Sequence, residues 1–290
     1  KNLMDKAAQI FQNFLDSLVS LIRVMILSKF DITLPEEEGS IVILGNGPSL
    51  KNTLNDNIDF LTSSDKKRMA VNMFCNSDSY TEIKPEYYIL NAPEFFRDVV
   101  TEMWEEMRWR VFRNLKEKTD WDMTLFVPAA ASKSEHFIGF VNEQTKIKVV
   151  YYNTTPVEGF TSLIQFLFKK NLGMPRPHNV LVPSIFLSLN MGFKEIFLVG
   201  ADHSWHEEIN VDETNKTTVN HEHFYDAGKV TMPMYKLDGE EYRIHDIFRK
   251  LHLAFKGYFI IKDYAEELNA KIFNASFRSY IDAFPKIKIK

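Results

Sequence analysis

The chain predicts an α/β fold, a Rossmann-like and mostly parallel sheet with helices on both faces. Three observations lead there. Short apolar runs recur along the sequence, several ending in a glycine or a small polar residue. Stretches with helical spacing separate them, and that alternation implies parallel strands joined by crossover helices. The first run also closes on a glycine turn, Leu44-Gly45-Asn46-Gly47-Pro48-Ser49-Leu50, at the carboxyl end of a strand, where open parallel sheets hold ligands.

In chain order, residues 3–28 read as one amphipathic helix. Phe11, Phe14, Leu15, Leu18, Leu21, Ile22 and Met25 recur on one face at steps of three and four. The expected role is packing on the domain or on a second subunit, which leaves a homo-oligomer open. The rival reading is a membrane-surface helix, which calls for a more basic polar face. No run of 18 uncharged apolar residues occurs, so no spanning helix is expected. Leu34-Pro35-Glu36-Glu37-Glu38-Gly39 is a polar linker, dividing residues 1–39 from a catalytic-type domain over 40–290. That domain's strands are expected at Ser40–Leu44, Met69–Asn72, Tyr87–Asn91, Thr124–Val127, Val149–Tyr152, Ile196–Gly200 and Lys271–Asn274. Their continuous apolar character is that of strands buried on both faces. Helices are expected near 93–118, 160–171, 181–191 and 244–268. Residues 203–243 show no period and read as a His-rich lid, because a loop that long is commonly functional.

Bulk properties narrow the function. The 290 residues are 45% hydrophobic, enough for one large core. A net charge of -4 argues against nucleic acid as a partner, since such binders carry a basic excess. One cysteine, Cys75, rules out a disulfide framework within the chain and suits a cytoplasmic protein. The sequence starts at Lys1, which leaves a preceding targeting segment open.

Four strand ends carry small polar residues, Asn46, Asn72, Asn91 and Asp202. One such end is ordinary turn chemistry, whereas four suggest a shared crevice. In the glycine turn, Gly45 and Gly47 let backbone approach a phosphate. Pro48 presets the following helix, and Ser49 brings a hydroxyl and N–H groups that attract anions. No Gly-Lys-Ser/Thr follows, so the turn is not a Walker loop, and it lacks the dinucleotide glycine spacing. The bland alternative is a plain strand-to-helix turn.

The turn Gly45-Asn46-Gly47-Pro48-Ser49-Leu50 resembles that of the bacterial sialyltransferases of glycosyltransferase family 42. Ala70-Val71-Asn72, Asn91-Ala92-Pro93 and Gly192-Phe193-Lys194-Glu195-Ile196-Phe197-Leu198-Val199-Gly200-Ala201-Asp202 resemble later segments of that family. The likeness covers residues 40–275 in patches. The same turn occurs in 6-hydroxymethylpterin diphosphokinase-like proteins. The resemblance implies a GT-A-like single domain and an inverting, metal-independent glycosyltransferase. It would need no cofactor beyond a CMP-activated donor, a sialic or related nonulosonic or ulosonic acid. The implied acceptor is a surface glycan or glycolipid such as lipopolysaccharide or capsule. The implied location is the cytoplasm, with peripheral contact at the inner face of the cell membrane. By the same resemblance Asn46, Ser49, Asn72 and Asn91 hold the nucleotide. Phe197 and Ser204 stand where the family has phosphate-binding tyrosines, so phosphate contact passes to Arg176, His178, Asn179 or His203.

Six of the eight histidines lie at or beyond 203. They read as a metal site, as acid–base and phosphate groups at the crevice mouth, or as scattered loop and core residues. No standard ligand spacing occurs, and no metal site is assigned. His245, at the start of the late helix, is the expected base, with His252 and His223 as rivals. Asp202 and His203 complete the expected catalytic set. Two other functions fit the turn. One is an ATP- and Mg²⁺-dependent diphosphokinase using Asp202, Glu207 and Glu208. The other is a non-catalytic nucleotide-binding subunit of a glycan-assembly complex. The tail Lys286-Ile287-Lys288-Ile289-Lys290 is basic and suits either solvent or anionic lipid.

Overall fold

The computed structural model describes residues 3–143, 145–221, 230–233 and 240–289. Its centre is a seven-stranded sheet in which every neighbouring pair is parallel. The strands are β1 (Ser40–Leu44), β2 (Lys66–Val71), β3 (Tyr87–Ile89), β4 (Met123–Pro128), β5 (Ile147–Tyr152), β6 (Glu195–Val199) and, last in the chain, β10 (Lys271–Asn274). Their order across the sheet is β10-β6-β1-β2-β3-β4-β5. The chain winds outward from β1 to β5, returns to place β6 on the other side of β1, and ends beyond it. The winding therefore reverses between β1 and β6.

The pleat sorts each strand into two cores. Ile41 and Ile43 face one core and Val42 and Leu44 the other. The first core is covered by α7 (Thr161–Lys169), α8 (Leu181–Met191) and α9 (Ile244–Glu267). The second is covered by α2 (Leu50–Asp56), α3 (Ile58–Thr62), α4 (Ser79–Ile83), α5 (Glu102–Lys118) and α6 (Glu135–Asn142). With helices on both faces, the Rossmann-like α/β expectation holds.

Three expectations change. The helix expected from residue 93 begins at Glu102, because Pro93–Phe95 form only a 3-10 turn. Thr101 then caps α5 by accepting the Trp104 N–H at 3.4 Å. Residues 203–243 are not merely a loop. A 3-10 turn at Trp205–Glu208 leads into an antiparallel sheet of β7 (Ile209–Val211), β8 (Thr217–His221) and β9 (Val230–Pro233). Short strands of mixed polarity there hide the period that would have announced them.

The third change concerns α1 (Leu3–Leu27). The helix forms as expected, but its apolar face does not pack on the domain. Phe11, Phe14, Leu15, Leu18, Leu21, Ile22 and Met25 are all exposed. The buried stripe is Ser17, Ser20 and Val24. Ser20 Oγ donates to the Glu158 carbonyl at 2.7 Å, and the Glu158 N–H donates back to it at 2.7 Å. Ser17 Oγ accepts the Phe160 N–H at 3.0 Å. Just past the helix, the Asn153 amide holds both the N–H and the carbonyl of Lys29. Hydrogen bonds to backbone, with Val24 as the one apolar side chain of the stripe in the core, decide which side turns inward. Among the described residues α1 is also the one helix long and apolar enough to cross a membrane, with a window of mean hydropathy 1.6. Requiring an unbroken uncharged run missed it, because Asp16 interrupts the run.

Candidate functional site

A cleft opens where the winding reverses, between the carboxyl ends of β1 and β6, with the end of β2 alongside. That is where a parallel sheet leaves room for a ligand, since the crossovers from adjacent strands leave in opposite directions. Gly45, Asn46, Gly47 and Pro48 line it from β1, and Asn72 from β2. Asp202 and His203 line it from β6, and Asn179 from the amino end of α8.

The glycine turn is built for close backbone approach. A Cβ on Gly45 would lie 2.5 Å from the Gly200 carbonyl oxygen, and one on Gly200 would lie 2.6 Å from that of Gly45. Gly200 also has φ +62, a left-handed conformation that glycine adopts without strain. Four of the turn's N–H groups are spent inside the protein. Gly45 donates to Val199 at 2.8 Å, Gly47 to Gly200 at 2.9 Å and Leu50 to Gly47 at 3.0 Å. The Ser49 N–H donates to Asp202 Oδ2 at 3.1 Å. A carboxylate thus already occupies the anion position at the start of α2. Burial raises the Asp202 carboxyl above its ordinary value, against the lowering by Ser49.

His203 is the most constrained group in the cleft. It is 7% exposed, and its φ of +54 is uncommon for any residue but glycine, though less so for histidine, asparagine and aspartate than for the rest. Its ring lies 4.1 Å from that of Trp205 and 5.9 Å from that of Phe255. Nε2 is hydrogen-bonded to the Tyr258 hydroxyl at 2.5 Å. That hydroxyl donates to Asn179 Oδ1 at 3.1 Å, which also accepts the Leu181 and Val182 N–H groups and so caps α8. Burial drives the His203 pKa down to about 3, so the imidazole is neutral at physiological pH. Its Nε2 is committed to Tyr258, so Nδ1 is the nitrogen left to accept a proton.

The asparagines divide. Asn46 Nδ2 donates to the Val71 carbonyl at 3.1 Å, and its Oδ1 is buried with no hydrogen-bond partner. Asn179 Nδ2 is likewise buried and unpartnered. Asn72 has φ +46, which suits asparagine, and its Oδ1 accepts the Asn91 N–H at 3.1 Å. Asn91 does not line the cleft, and its side chain accepts from Tyr152 at 2.8 Å.

Other expected residues lie elsewhere. Ser49 sits buried behind the turn rather than on the cleft lining. Arg176 is paired with Glu158 at 3.8 Å, on the α1 side of the domain. His178 is outside the lining, with Nε2 buried and unpartnered. The side chain of His245 is 79% exposed and lies beside Asp246. His252 lines a separate shallow groove with His206 and Phe255. His223 lies outside the described residues. Phe197, standing where a tyrosine was anticipated, faces the second core between Phe60 and Phe273. Glu207 is engaged by Arg278 and Tyr280. Among the described residues no three His, Cys, Asp or Glu side chains converge as a metal site would require.

Sequence reasoning missed Tyr258 and Trp205, and named Glu208 only for the alternative diphosphokinase. Trp205 and Glu208 line the cleft, and closeness to Asp202 was the available clue. Tyr258 lies mid-helix in α9 and gives no local signal. No family model matches this chain, and no curated protein matches it by sequence.

Proposed function

We propose that this chain is a glycosyltransferase of the sialyltransferase-like kind, acting in the cytoplasm. It would bind a CMP-activated ulosonic-type sugar in the β1–β6 cleft and pass the sugar, with inversion, to a hydroxyl of a surface glycan or glycolipid. The observation that carries this reading is the pairing, on one cleft, of asparagines with unpartnered amide atoms and a neutral imidazole. Asn46 and Asn179 line the cleft, and each keeps one buried amide atom without a partner, Oδ1 and Nδ2, an acceptor and a donor of the kind that read a nucleobase or sugar edge once turned toward it. His203 supplies a base that is unprotonated before substrate arrives. A base must take the acceptor proton as the new glycosidic bond forms. An imidazole with so low a pKa is weak, but the negative charge of a bound donor phosphate nearby raises its basicity. His203 is preferred to His245 because His203 lines the cleft and His245 does not.

The test is a calorimetric panel of CMP, CDP, UDP, GDP and ATP, with and without Mg²⁺, on the chain and on Asn46→Ala. Selective CMP binding that EDTA leaves unchanged and Asn46→Ala weakens is the expected result. Binding of ATP alone, and only with Mg²⁺, overturns the proposal in favour of a diphosphokinase. CMP binding without transfer from any CMP-sugar, and without effect of His203→Asn in cells, points to a nucleotide-binding subunit.

A further inference from the structure

The orientation of α1 is reversed relative to an ordinary surface helix. Its inward stripe is polar, with Ser17 and Ser20 buried and tied to the backbone at Glu158 and Phe160. Its outward side carries Phe11, Phe14, Leu18, Ile22 and Met25, all exposed. Two details extend this surface. Residues 3–12 are exposed on every side, so the helix runs past the domain that holds its second half. Phe30 is 67% exposed just beyond the helix, and Phe160, whose N–H Ser17 holds, is 37% exposed.

We propose that α1 lies in the plane of a lipid bilayer, apolar side down, with the α/β domain seated on its polar stripe. A lipid surface fits better than a second copy because of the width of the apolar face. Leu3, Met4, Ile10, Phe11, Phe14, Leu15, Leu18, Val19, Leu21 and Ile22 cover about half the helix circumference at 100° per residue, whereas a helix-pairing seam is a narrow stripe. A position in the plane fits better than a crossing. To cross, the helix would have to give up the Ser17 and Ser20 hydrogen bonds and the ion pair of Arg23 with Glu158 at 3.7 Å. It would also carry Asn13, Asp16, Ser17 and Ser20 into hydrocarbon, where unpaired polar groups are costly. The helix carries only two basic residues, Lys6 and Arg23, against Asp5 and Asp16, so the attachment is apolar rather than electrostatic. This inference does not depend on the transferase reading.

The experiment is flotation of the whole chain with large vesicles of phosphatidylcholine alone or with anionic lipid added. Equal binding to both, unchanged at high salt, is expected. Phe11→Gln, Phe14→Gln and Leu18→Gln together should lower partitioning by roughly 100-fold or more, and Phe14→Gln alone by a smaller factor. The substituted side chains are exposed and glutamine is a good helix former, so circular dichroism should stay unchanged. Replacing Lys286 and Lys288 by serine should leave binding intact. Binding only to anionic vesicles, abolished by salt, overturns the proposal in favour of charge-driven attachment. No vesicle binding also overturns it; a dimer in sedimentation that the triple variant dissociates then assigns the face to a second copy.

Discussion

His203→Asn tests the burial of the cleft imidazole through the pH dependence of stability. The His203 pKa is about 3 in the folded chain against an ordinary value of 6.5. A depressed folded value means that the unfolded chain takes up the proton first. The stability tied to His203 is therefore present above pH 6.5 and is lost as pH falls from 6.5 toward 3. At about 1.36 kcal/mol per pH unit, and allowing for partial titration near 6.5, the loss between pH 7 and pH 5 is about 2 kcal/mol. Asparagine accepts the left-handed backbone at this position and cannot titrate. Asp202, whose raised carboxyl pKa acts with the opposite sign, is present in both proteins and cancels in the difference. Urea unfolding at pH 7, 6 and 5 should show the parent losing about 2 kcal/mol more than His203→Asn over that range. Parallel pH dependences would refute the claim that this imidazole is buried and neutral.

Further outcomes follow from the same geometry. Gly45→Ala places a methyl 2.5 Å from the Gly200 carbonyl oxygen, and backbone cannot yield there as a side chain would. A loss of about 3 kcal/mol and a Tm lower by roughly 6–12 °C should appear in calorimetry. Tyr258→Phe leaves His203 Nε2 and Asn179 Oδ1 without their shared hydroxyl. It should cost about 1–2 kcal/mol in urea unfolding and lower turnover of a CMP-sugar more than CMP affinity. Ser20→Ala removes both hydrogen bonds to Glu158, so α1 amides should exchange faster while the strands keep their protection. Asp202→Asn should tighten CMP binding several-fold in calorimetry while costing about 1 kcal/mol of stability. Weaker CMP binding in that variant would mean that the carboxylate contacts the nucleotide directly.

The central sheet was legible because its strands are apolar on both faces. Ile41, Val42, Ile43 and Leu44 form a run with no polar alternation, and such a run is stable only between two helical layers. The turn at Gly45, and the cleft it borders, followed from the strand that precedes it. The short helices α3, α4 and α6 were not legible, since five to eight residues hold too few periods, and of α2 only its start after Pro48 was. Tyr258 was hidden for a different reason. Its partner His203 is 55 residues away in sequence, and no pattern within α9 sets one buried tyrosine apart from Tyr264. For α1, periodicity identified the apolar face correctly but not the surroundings of that face. Ser17 and Ser20 decided which side met the domain, through backbone groups at 158–160 that no one-dimensional pattern reveals.

The glycine turn changes meaning once its hydrogen bonds are followed. Its residue types suggested a cradle of free N–H groups for a phosphate. Instead Gly45 and Gly200 press backbone to backbone across β1 and β6, and a Cβ on Gly47 would strike the Asp202 carboxylate. The Ser49 N–H, which a phosphate would otherwise take, is held by that carboxylate at 3.1 Å. A phosphate at this spot would have to displace Asp202 or sit beside a like charge. At about 5 Å and an effective dielectric near 20, that repulsion is on the order of 3 kcal/mol, comparable to what one charge-assisted hydrogen bond returns. The turn therefore serves first to set the spacing of the cleft walls. Asn46 and Asn179 line the cleft and keep unpartnered amide atoms, and a ligand is better placed with a neutral ring toward them and its phosphate away from Asp202. The Asp202→Asn variant tests that placement, because it removes the charge while keeping a side-chain oxygen for Ser49: a several-fold gain fits a phosphate held away from Asp202, whereas a gain of about 100-fold would put it beside the carboxylate.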